Sequence, residues 1–214
     1  MISVEEALEK ILSYVAVLET EEKPLLESLG QVLDEDVRST IQVPPLDNSA
    51  MDGYAVQWQS IRQASQAAPR LLKVIGEVAA GNLPDKAVVP GTAIRIMTGA
   101  PVPSGADTVV PFEDTDETTR RNKGLAQGSS WEIGILNPVA KGANIRLAGE
   151  DIARGSLVLK RGTELRPAEI GVLASLGRTK VKVIRRPVVA VLATGDELVE
   201  AGQPLPPGKL YNSN

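Results

Sequence analysis

Four short segments of this sequence place a carboxylate or a hydroxyl beside a glycine, which makes them the segments best suited to chemistry. They are Asp52-Gly53 in "NSAMDGYA", Thr98-Gly99 in "RIMTGAPVPSGAD", Gly149-Glu150-Asp151 in "NIRLAGEDI" and Gly195-Asp196-Glu197 in "TGDEL". Glycine lets the backbone approach a ligand closely, and carboxylates bind hard divalent cations. Exposed N–H groups at such turns bind oxyanions. The pattern therefore predicts a phosphate-bearing substrate bridged by magnesium.

Each segment also has a purely structural interpretation. Asp52-Gly53 is a strong hairpin-turn pair, and prolines and glycines can stiffen and kink the loop from Arg95 to Asp107. Arg146 can pair with Glu150 across a turn, and "TGDEL" can connect a strand to a helix that one of its side chains caps. The structural interpretation is favoured for each segment taken alone, whereas the recurrence of one pattern in four places favours a site.

The amino-acid composition excludes several kinds of chemistry. The 214 residues include no Cys and no His. The chain therefore has no disulfide, no thiolate nucleophile and no Cys-built zinc site, and it lacks the commonest general base and transition-metal ligand. Carboxylates, hydroxyls, Lys, Arg and backbone groups remain, and they suit Mg²⁺. The net charge of −4 argues against a nucleic-acid surface.

The N-terminal and apolar segments indicate a cytoplasmic protein with no membrane partner. The start of the chain, "MISVEEALEK", is acidic and amphipathic and has none of the features of a signal peptide. No apolar stretch approaches the length that is needed to span a membrane.

The elements that must position these segments begin with helical patterns. A capping box formed by Ser3 and Glu6 and the spacing of the apolar residues predict a helix over Val4–Val17. The segment "KPLLESLGQVL" indicates a short second helix that ends near Gly30. Residues 33–56 are predicted to be extended and rich in turns, and residues 57–70 to be a loop or a short helix.

The middle of the chain has a sequence pattern that is typical of β-strands. The runs "LLKVIGEV", "TAIRIMTG", "DTVVPFED" and "WEIGIL" are separated by turn residues, as are the strands of a barrel or a sandwich. The segment "EDTDETTRRNKG" is predicted to be a hairpin or a mobile loop. The run "GSLVLKRGTEL" predicts a strand, and "RPAEIGVLASLG" predicts a helix with Pro167 in its first turn and Gly177 beyond its end. Val188–Ala193 is predicted to be a buried parallel strand leading into a helix.

The four motifs, in their order and spacing, resemble the molybdopterin molybdenumtransferases, a family that includes bacterial MoeA proteins and the E domain of gephyrin. The resemblance runs along the whole chain. It implies an enzyme of molybdenum cofactor biosynthesis, which inserts molybdenum from molybdate into the dithiolene of adenylylated molybdopterin. The reaction releases AMP in a step that needs a divalent cation, here expected to be Mg²⁺.

The resemblance implies an α+β, multi-domain fold. Residues 1–43 and 143–186 are expected to form a discontinuous α/β first domain, and residues 44–142 an inserted, β-rich and barrel-like second domain. Residues 187–214 are expected to supply the first strand and turn of a truncated α/β third domain, which is similar to molybdopterin-binding domains. Because the Gly-rich and Pro-Gly-Asn-Pro loops of that domain are not in the sequence, the chain is expected to be an inactive N-terminal fragment on its own.

The resemblance also implies site residues and partners. The catalytic positions carried over are Asp52, Thr98, Asp151 and Glu197. Asp52 and Asp151 are the expected Mg²⁺ ligands, and the cofactor-binding residues are expected mostly in the third domain. The expected substrates are adenylylated molybdopterin and molybdate. The expected assembly is a homodimer, with the active site between the third domain of one subunit and the first two domains of the other.

Other partners and functions stay open at this point. The molybdopterin adenylyltransferase is a further candidate partner, and no nucleic acid or membrane is expected. One alternative function is a gephyrin-like scaffold or dimerisation module, and another is a β-rich ligand-binding module. The enzyme is favoured because a scaffold needs a dimer surface but does not need these carboxylates.

Overall fold

The computed structural model describes residues 2–126 and 131–213, and their contacts group the chain into two compact units. The first unit comprises the chain up to Glu35, Arg161–Gly171 and the chain from Arg178 onward. The second comprises Asp36–Lys160 and Val172–Gly177. The coarse prediction of a mixed fold of helices and strands is confirmed. The domain boundaries at residues 43, 143 and 187 stay a prediction.

Helices are few and short. The α-helices are α1 (Val4–Leu12), α2 (Trp58–Ile61), α3 (Glu117–Asn122) and α4 (Pro167–Ser175). Two 3-10 turns cover Leu25–Glu27 and Phe112–Asp114. None of the helices in the described parts of the chain is long and apolar enough to cross a membrane.

The strands are more numerous and mostly short. In chain order they are β1 (Thr20–Pro24), β2 (Val37–Arg38), β3 (Asn48–Ser49), β4 (Gly53–Val56), β5 (Arg70–Val78), β6 (Thr92–Ile96), β7 (Thr108–Pro111), β8 (Trp131–Ile135), β9 (Ile145–Arg146), β10 (Leu157–Leu159), β11 (Lys180–Ile184), β12 (Leu198–Val199) and β13 (Leu210–Tyr211).

A five-stranded sheet forms the centre of the second unit, with the strand order β7-β4-β6-β5-β8. Strands β5 and β6 are parallel, and the other neighbours are antiparallel. Because side chains alternate between the two faces of a strand, β4 contributes to two cores. Tyr54 and Val56 pack into one of them, and Ala55 packs into the other. The predicted strands in "LLKVIGEV", "TAIRIMTG", "DTVVPFED" and "WEIGIL" are confirmed.

Two short antiparallel pairs join distant parts of the second unit. Strand β3 pairs with β9, so that Asn48 lies opposite Arg146 and Ser49 lies opposite Ile145. Strand β2 pairs with β10. The β3–β9 pair brings the segment around Asp52 next to the segment that contains Asp151.

The first unit is built on the antiparallel pair β1–β11, with Leu33, Leu165 and Val183 fully buried. Helix α1 begins at the predicted capping box, in which the Ser3 hydroxyl accepts a hydrogen bond from the Glu6 N–H at 3.1 Å. The predicted extension to Val17 is wrong, because the helix ends at Leu12. No residue of α1 is buried. The helix therefore gains little from packing, which supplies most helical stability in proteins.

Two predictions in the middle of the chain also need correction. The segment "EDTDETTRRNKG" contains helix α3, where a hairpin or a mobile loop was predicted. Two ion pairs with (i, i+4) spacing stabilise this helix: Asp116 accepts from Arg120 at 2.7 Å, and Glu117 accepts from Arg121. The predicted helix in "KPLLESLGQVL" is only a 3-10 turn over Leu25–Glu27.

Near the end of the chain, the prediction of a helix is confirmed and the prediction of a buried strand is wrong. Helix α4 begins at Pro167 as predicted, and Gly177 beyond its end adopts a φ of 74°. Val188–Ala193 is not a strand, and the side chains of Val188 and Leu192 are 91% and 85% exposed. A buried parallel strand needs neighbours, and no strand of the described chain pairs with this run. "TGDEL" leads into β12 rather than into a helix.

The packing of β4 generates a stability prediction. A Cβ at Gly53 would lie 2.1 Å from the Val110 carbonyl oxygen, whereas a Cβ at Gly76 in the same sheet would meet nothing closer than 3.7 Å. We expect Gly53→Ala to lower the free energy of unfolding of the second unit by about 1–3 kcal/mol, as overpacking typically does. Urea unfolding followed by tryptophan fluorescence measures this, because Trp58 and Trp131 both lie in that unit.

Gly76→Ala is the matched control, and it should change the unfolding midpoint much less. Equal losses of stability in the two variants would contradict the claim that Gly53 is required by a close backbone approach.

Candidate functional site

Three of the four motifs lie in the second unit and contact one another through backbone hydrogen bonds. We call them the Asp52 loop (residues 47–52), the Thr98 loop (residues 97–102) and the Asp151 loop (residues 144–151). The N–H of Ser49 donates to Ala100 O at 3.0 Å, and the N–H of Gly99 donates to Ser49 O at 2.8 Å. The N–H of Ala50 donates to Asn144 O at 2.9 Å. The Asp52 loop therefore lies between the other two.

Asp52 and Thr98 are in direct contact. Oδ1 of Asp52 accepts hydrogen bonds from both the backbone N–H and the hydroxyl of Thr98, each at 2.7 Å. The sheet register explains this meeting, because Gly53 at the start of β4 lies opposite Ile96 at the end of β6. Asp52, which precedes β4, and Thr98, which follows β6, therefore lie next to each other.

The surroundings of Asp52 stabilise its charged form. The Thr98 N–H, the Thr98 hydroxyl and, more weakly, the positive charge of Arg95 hold the pKa of Asp52 below its ordinary value of 3.8. The side chain is exposed. The site thus presents an ionised carboxylate to solvent at neutral pH, with one of its oxygens fixed by Thr98.

Arg95 was not among the predicted site residues. Its guanidinium donates to Glu117 at 3.1 Å and to Glu77 at 2.8 Å, and it lies 4.4 Å from the centroid of the Phe112 ring. Burial lowers the pKa of Arg95, but the two carboxylates outweigh burial and raise it. The N–H of Phe112 donates to the carbonyl of Asp52 at 3.2 Å. The sequence signal was a charged residue inside the otherwise apolar strand "TAIRIMTG".

Asp151 is paired with an arginine of its own loop. Both of its carboxylate oxygens accept from Nη2 of Arg146, at 2.7 and 2.6 Å. Nε of Arg146 donates to Glu150 at 3.2 Å, as the structural interpretation of this turn predicted. The hydrogen bonds from Arg146 to Asp151 and then to Glu150 raise the pKa of Arg146.

The predicted Mg²⁺ ligands differ in how well they fit a cation. The described residues contain no group of three or more Asp, Glu, His or Cys side chains that is placed to hold a metal ion. Mg²⁺ does not need such a group, because it keeps several waters and is often bound by one or two carboxylates. Asp52 fits, since it is ionised and exposed. Asp151 fits less well, because Arg146 already balances its charge. The Mg²⁺ site stays a prediction.

Glu197 belongs to the first unit, on the turn that precedes β12. Its carbonyl oxygen accepts from the N–H of Leu210 at 2.8 Å. Its carboxylate lies against Gly195, where an added Cβ would lie 2.6 Å from either carboxylate oxygen. The backbone of Gly195 has a φ of 151°, a conformation that glycine adopts more readily than other residues. The catalytic role of Glu197 stays a prediction.

Comparison with known proteins gives consistent matches along this chain. Residues 2–177 match a family described as the MoeA N-terminal region, domain I and II. A molybdopterin molybdenumtransferase of Staphylococcus epidermidis is 40% identical over 213 residues, which is 100% of this chain and 48% of the relative. Molybdopterin molybdenumtransferase 2 of Mycobacterium tuberculosis is 41% identical over 191 residues, which is 89% of this chain and 44% of the relative.

A solved structure extends the likeness to the fold. The crystal structure of the molybdopterin biosynthesis MoeA protein from Pyrococcus horikoshii superimposes with a TM-score of 0.81 at 38% sequence identity. The match covers 97% of this chain and 52% of that one. The chain thus spans about half the length of the curated relatives and of the solved structure that it matches.

The Asp52–Thr98 contact generates a titration prediction. Thr98→Val removes the hydroxyl donor but keeps the backbone N–H, so we expect the pKa of Asp52 to rise part of the way toward 3.8. Because the folded-state pKa of Asp52 is depressed, the stability that it contributes is present above its unfolded pKa and is lost as pH falls through the folded pKa. In Thr98→Val the two pKa values lie closer together, so the stability lost should be smaller and the loss should be complete at a higher pH.

NMR titration of the side-chain carboxyl carbons measures both proteins. Asp34 provides an internal control, because its pKa is lowered by the hydroxyl of Thr20 and by Arg161 in the other unit and should not change. An unchanged Asp52 pKa in Thr98→Val would show that the hydroxyl does not stabilise the carboxylate.

Proposed function

This chain belongs to the family of MoeA N-terminal regions, and on that premise we propose that it is part of a molybdopterin molybdenumtransferase of molybdenum cofactor biosynthesis. The proposed reaction moves molybdenum from molybdate into the dithiolene of adenylylated molybdopterin and releases AMP. The observation that carries the proposal is that three motif loops contact one another and that one of them presents an exposed, ionised Asp52 that is held by Thr98.

The role that we propose for Asp52 follows from the charges of the reactants. Molybdate and a phosphoanhydride are both anions, and a bare carboxylate would repel them. A carboxylate helps such a reaction when it holds a cation. We assign Oδ1 of Asp52 to Thr98 and its second oxygen to Mg²⁺. When bound, Mg²⁺ would screen the repulsion between the two anionic reactants.

The role that we propose for Asp151 is to handle substrate through Arg146. A guanidinium carries five N–H donors, and Arg146 uses two of its nitrogens on Asp151 and Glu150. Its remaining donors suit an oxyanion of the substrate, since arginine pairs well with phosphate groups. In this arrangement Asp151 fixes the direction of the guanidinium. We retain Thr98 as a further member of the proposed site, and the catalytic role of Glu197, which lies in the first unit, stays a separate prediction.

Several finer assignments are part of the same proposal. We propose that the protein acts in the cytoplasm and receives adenylylated molybdopterin from a molybdopterin adenylyltransferase.

We also propose that the active enzyme is a homodimer. Sedimentation analysis of the complete gene product that carries this sequence should give twice the mass of one chain. A strictly monomeric and fully active protein would contradict the dimer.

The function is tested by replacing Asp52 in the complete gene product. Asp52→Asn keeps the shape of the side chain and an acceptor for Thr98, but a neutral amide is a much weaker Mg²⁺ ligand. We expect molybdenum insertion to fall by about tenfold or more, which corresponds to at least 1.4 kcal/mol. The stability should change by no more than about 0.5 kcal/mol, which is typical of surface substitutions. The measurement is molybdenum insertion by purified protein, with recovery of molybdoenzyme activity in a strain that lacks its own molybdenumtransferase.

Asp85→Asn is the matched control, because it removes the same charge from an exposed loop position of the second unit. Its activity should equal that of the unmodified protein. If Asp52→Asn unfolds early but turns over normally per folded molecule, Asp52 only shapes its loop.

A further inference from the structure

A cleft lies at the far end of the same loops that hold Asp52 and Thr98. It has a volume of about 520 Å³, and its lining includes Asp47, Leu83, Pro84, Pro101, Val102 and Ala148. Cavities that bind small organic molecules typically measure roughly 300–1,000 Å³ and combine apolar walls with a few polar groups. In this cleft the apolar walls are two prolines and aliphatic side chains, and Asp47 supplies the carboxylate.

The cleft and the proposed site are built from the same three loops. The N–H of Val102 donates to Asp47 O at 2.9 Å, and the N–H of Ala148 donates to Oδ1 of Asp47 at 2.7 Å. Asp47 therefore connects all three loops. Pro101 follows Thr98 by three residues, so their Cα atoms are at most about 11 Å apart. One extended substrate can reach both places.

The free acceptor positions of Asp47 favour a ring that carries two adjacent N–H donors. A carboxylate offers about four acceptor positions, and Ala148 occupies one of those on Asp47. The positions left are suited to two adjacent N–H donors. The pyrimidinone edge of a pterin carries such a pair, in its ring N–H and its 2-amino group. The adenine edge carries an amino donor beside a ring-nitrogen acceptor, which a carboxylate cannot satisfy.

We propose that this cleft binds the pterin ring of the substrate, with Asp47 accepting the paired N–H donors and Pro84, Pro101 and Leu83 contacting the ring. The proposal rests on the proposed function for the identity of the substrate. It adds the orientation, in which the pterin lies in the cleft and the reacting end of the substrate points toward Asp52 and Thr98.

The test uses 6-hydroxymethylpterin as a probe of the 214-residue chain. Binding is followed by quenching of the pterin fluorescence and by changes in backbone amide NMR shifts. We expect saturable binding with the largest shift changes at Leu83, Val102 and Ala148. Adenosine at the same concentrations should leave these amides unchanged. Saturable pterin binding with shift changes elsewhere, or no binding at millimolar concentration, overturns the proposal.

The variant Asp47→Asn distinguishes a role of Asp47 in ligand binding from a role in the structure of its loop. The amide oxygen can still accept from the Ala148 N–H, but the other carboxylate oxygen becomes an NH₂ donor that opposes the donors of the pterin. We expect the affinity for the probe to fall by about tenfold or more, while the amide spectrum stays that of a folded protein. Asp85→Asn, one residue beyond the cleft wall at Pro84, should bind as the unmodified chain does. Equal affinities of Asp47→Asn and Asp85→Asn overturn the proposal.

Experiments on the complete gene product distinguish an error in the cleft assignment from an error in the proposed function. If Asp47→Asn in the complete gene product inserts molybdenum normally, the cleft assignment is wrong and the function stands. If the unmodified gene product inserts no molybdenum but this chain binds the probe in the cleft, the function is wrong and the site stands as a pterin-binding site.

Discussion

The contact between Asp52 and Thr98 depends on how closely β4 lies against its neighbour β7. At Gly53 the backbone of β4 is so near the Val110 carbonyl that a Cβ would lie 2.1 Å from its oxygen. Gly53 is also opposite Ile96 of β6 and Pro111 of β7, so its position is fixed on both sides. A larger residue would displace the start of β4. It would thereby separate Oδ1 of Asp52 from the two Thr98 donors that fix its direction.

The carboxylates of the second unit are stabilised in two different ways. Arginines pair with the carboxylates around β6 and in the Asp151 loop: Arg95 with Glu77 and Glu117, and Arg146 with Asp151 and Glu150. Asp52 instead receives neutral donors from Thr98, and within the described residues it has no ion-pair partner at contact distance. Neutral donors stabilise a carboxylate without cancelling its charge. Of the two predicted Mg²⁺ ligands, Asp52 and Asp151, Asp52 is therefore the one that keeps its attraction for a cation.

The sequence was a good guide where structure follows from local patterns and a poor one where it depends on distant partners. The strands of the sheet, the α1 capping box and the Pro167 and Gly177 boundaries of α4 carry local signals, and all are confirmed. Val188–Ala193 has the composition of a buried strand, but composition does not supply a neighbour to pair with. Likewise, no local signal links residues 52, 98 and 151. The contact of Asp52 with Thr98 follows from the sheet register, and the position of the Asp151 loop beside the Asp52 loop follows from the β3–β9 pair. The motif resemblance identified the three residues individually.

The polar residues of "DNSAMDGYA" fall into two groups. Some form hydrogen bonds within the loop, and others remain exposed. Ser49 is buried, and its hydroxyl both donates to Met51 O at 2.5 Å and accepts from the Met51 N–H at 3.3 Å. That serine is used entirely within its own turn, as Ser and Thr often are. Asp47 and Asp52 each use one oxygen to bind a neighbouring loop and remain exposed. A polar loop built for structure alone would satisfy its carboxylates internally, as Asp151 does with Arg146. The two carboxylates that are only half used are those through which this loop can bind a ligand.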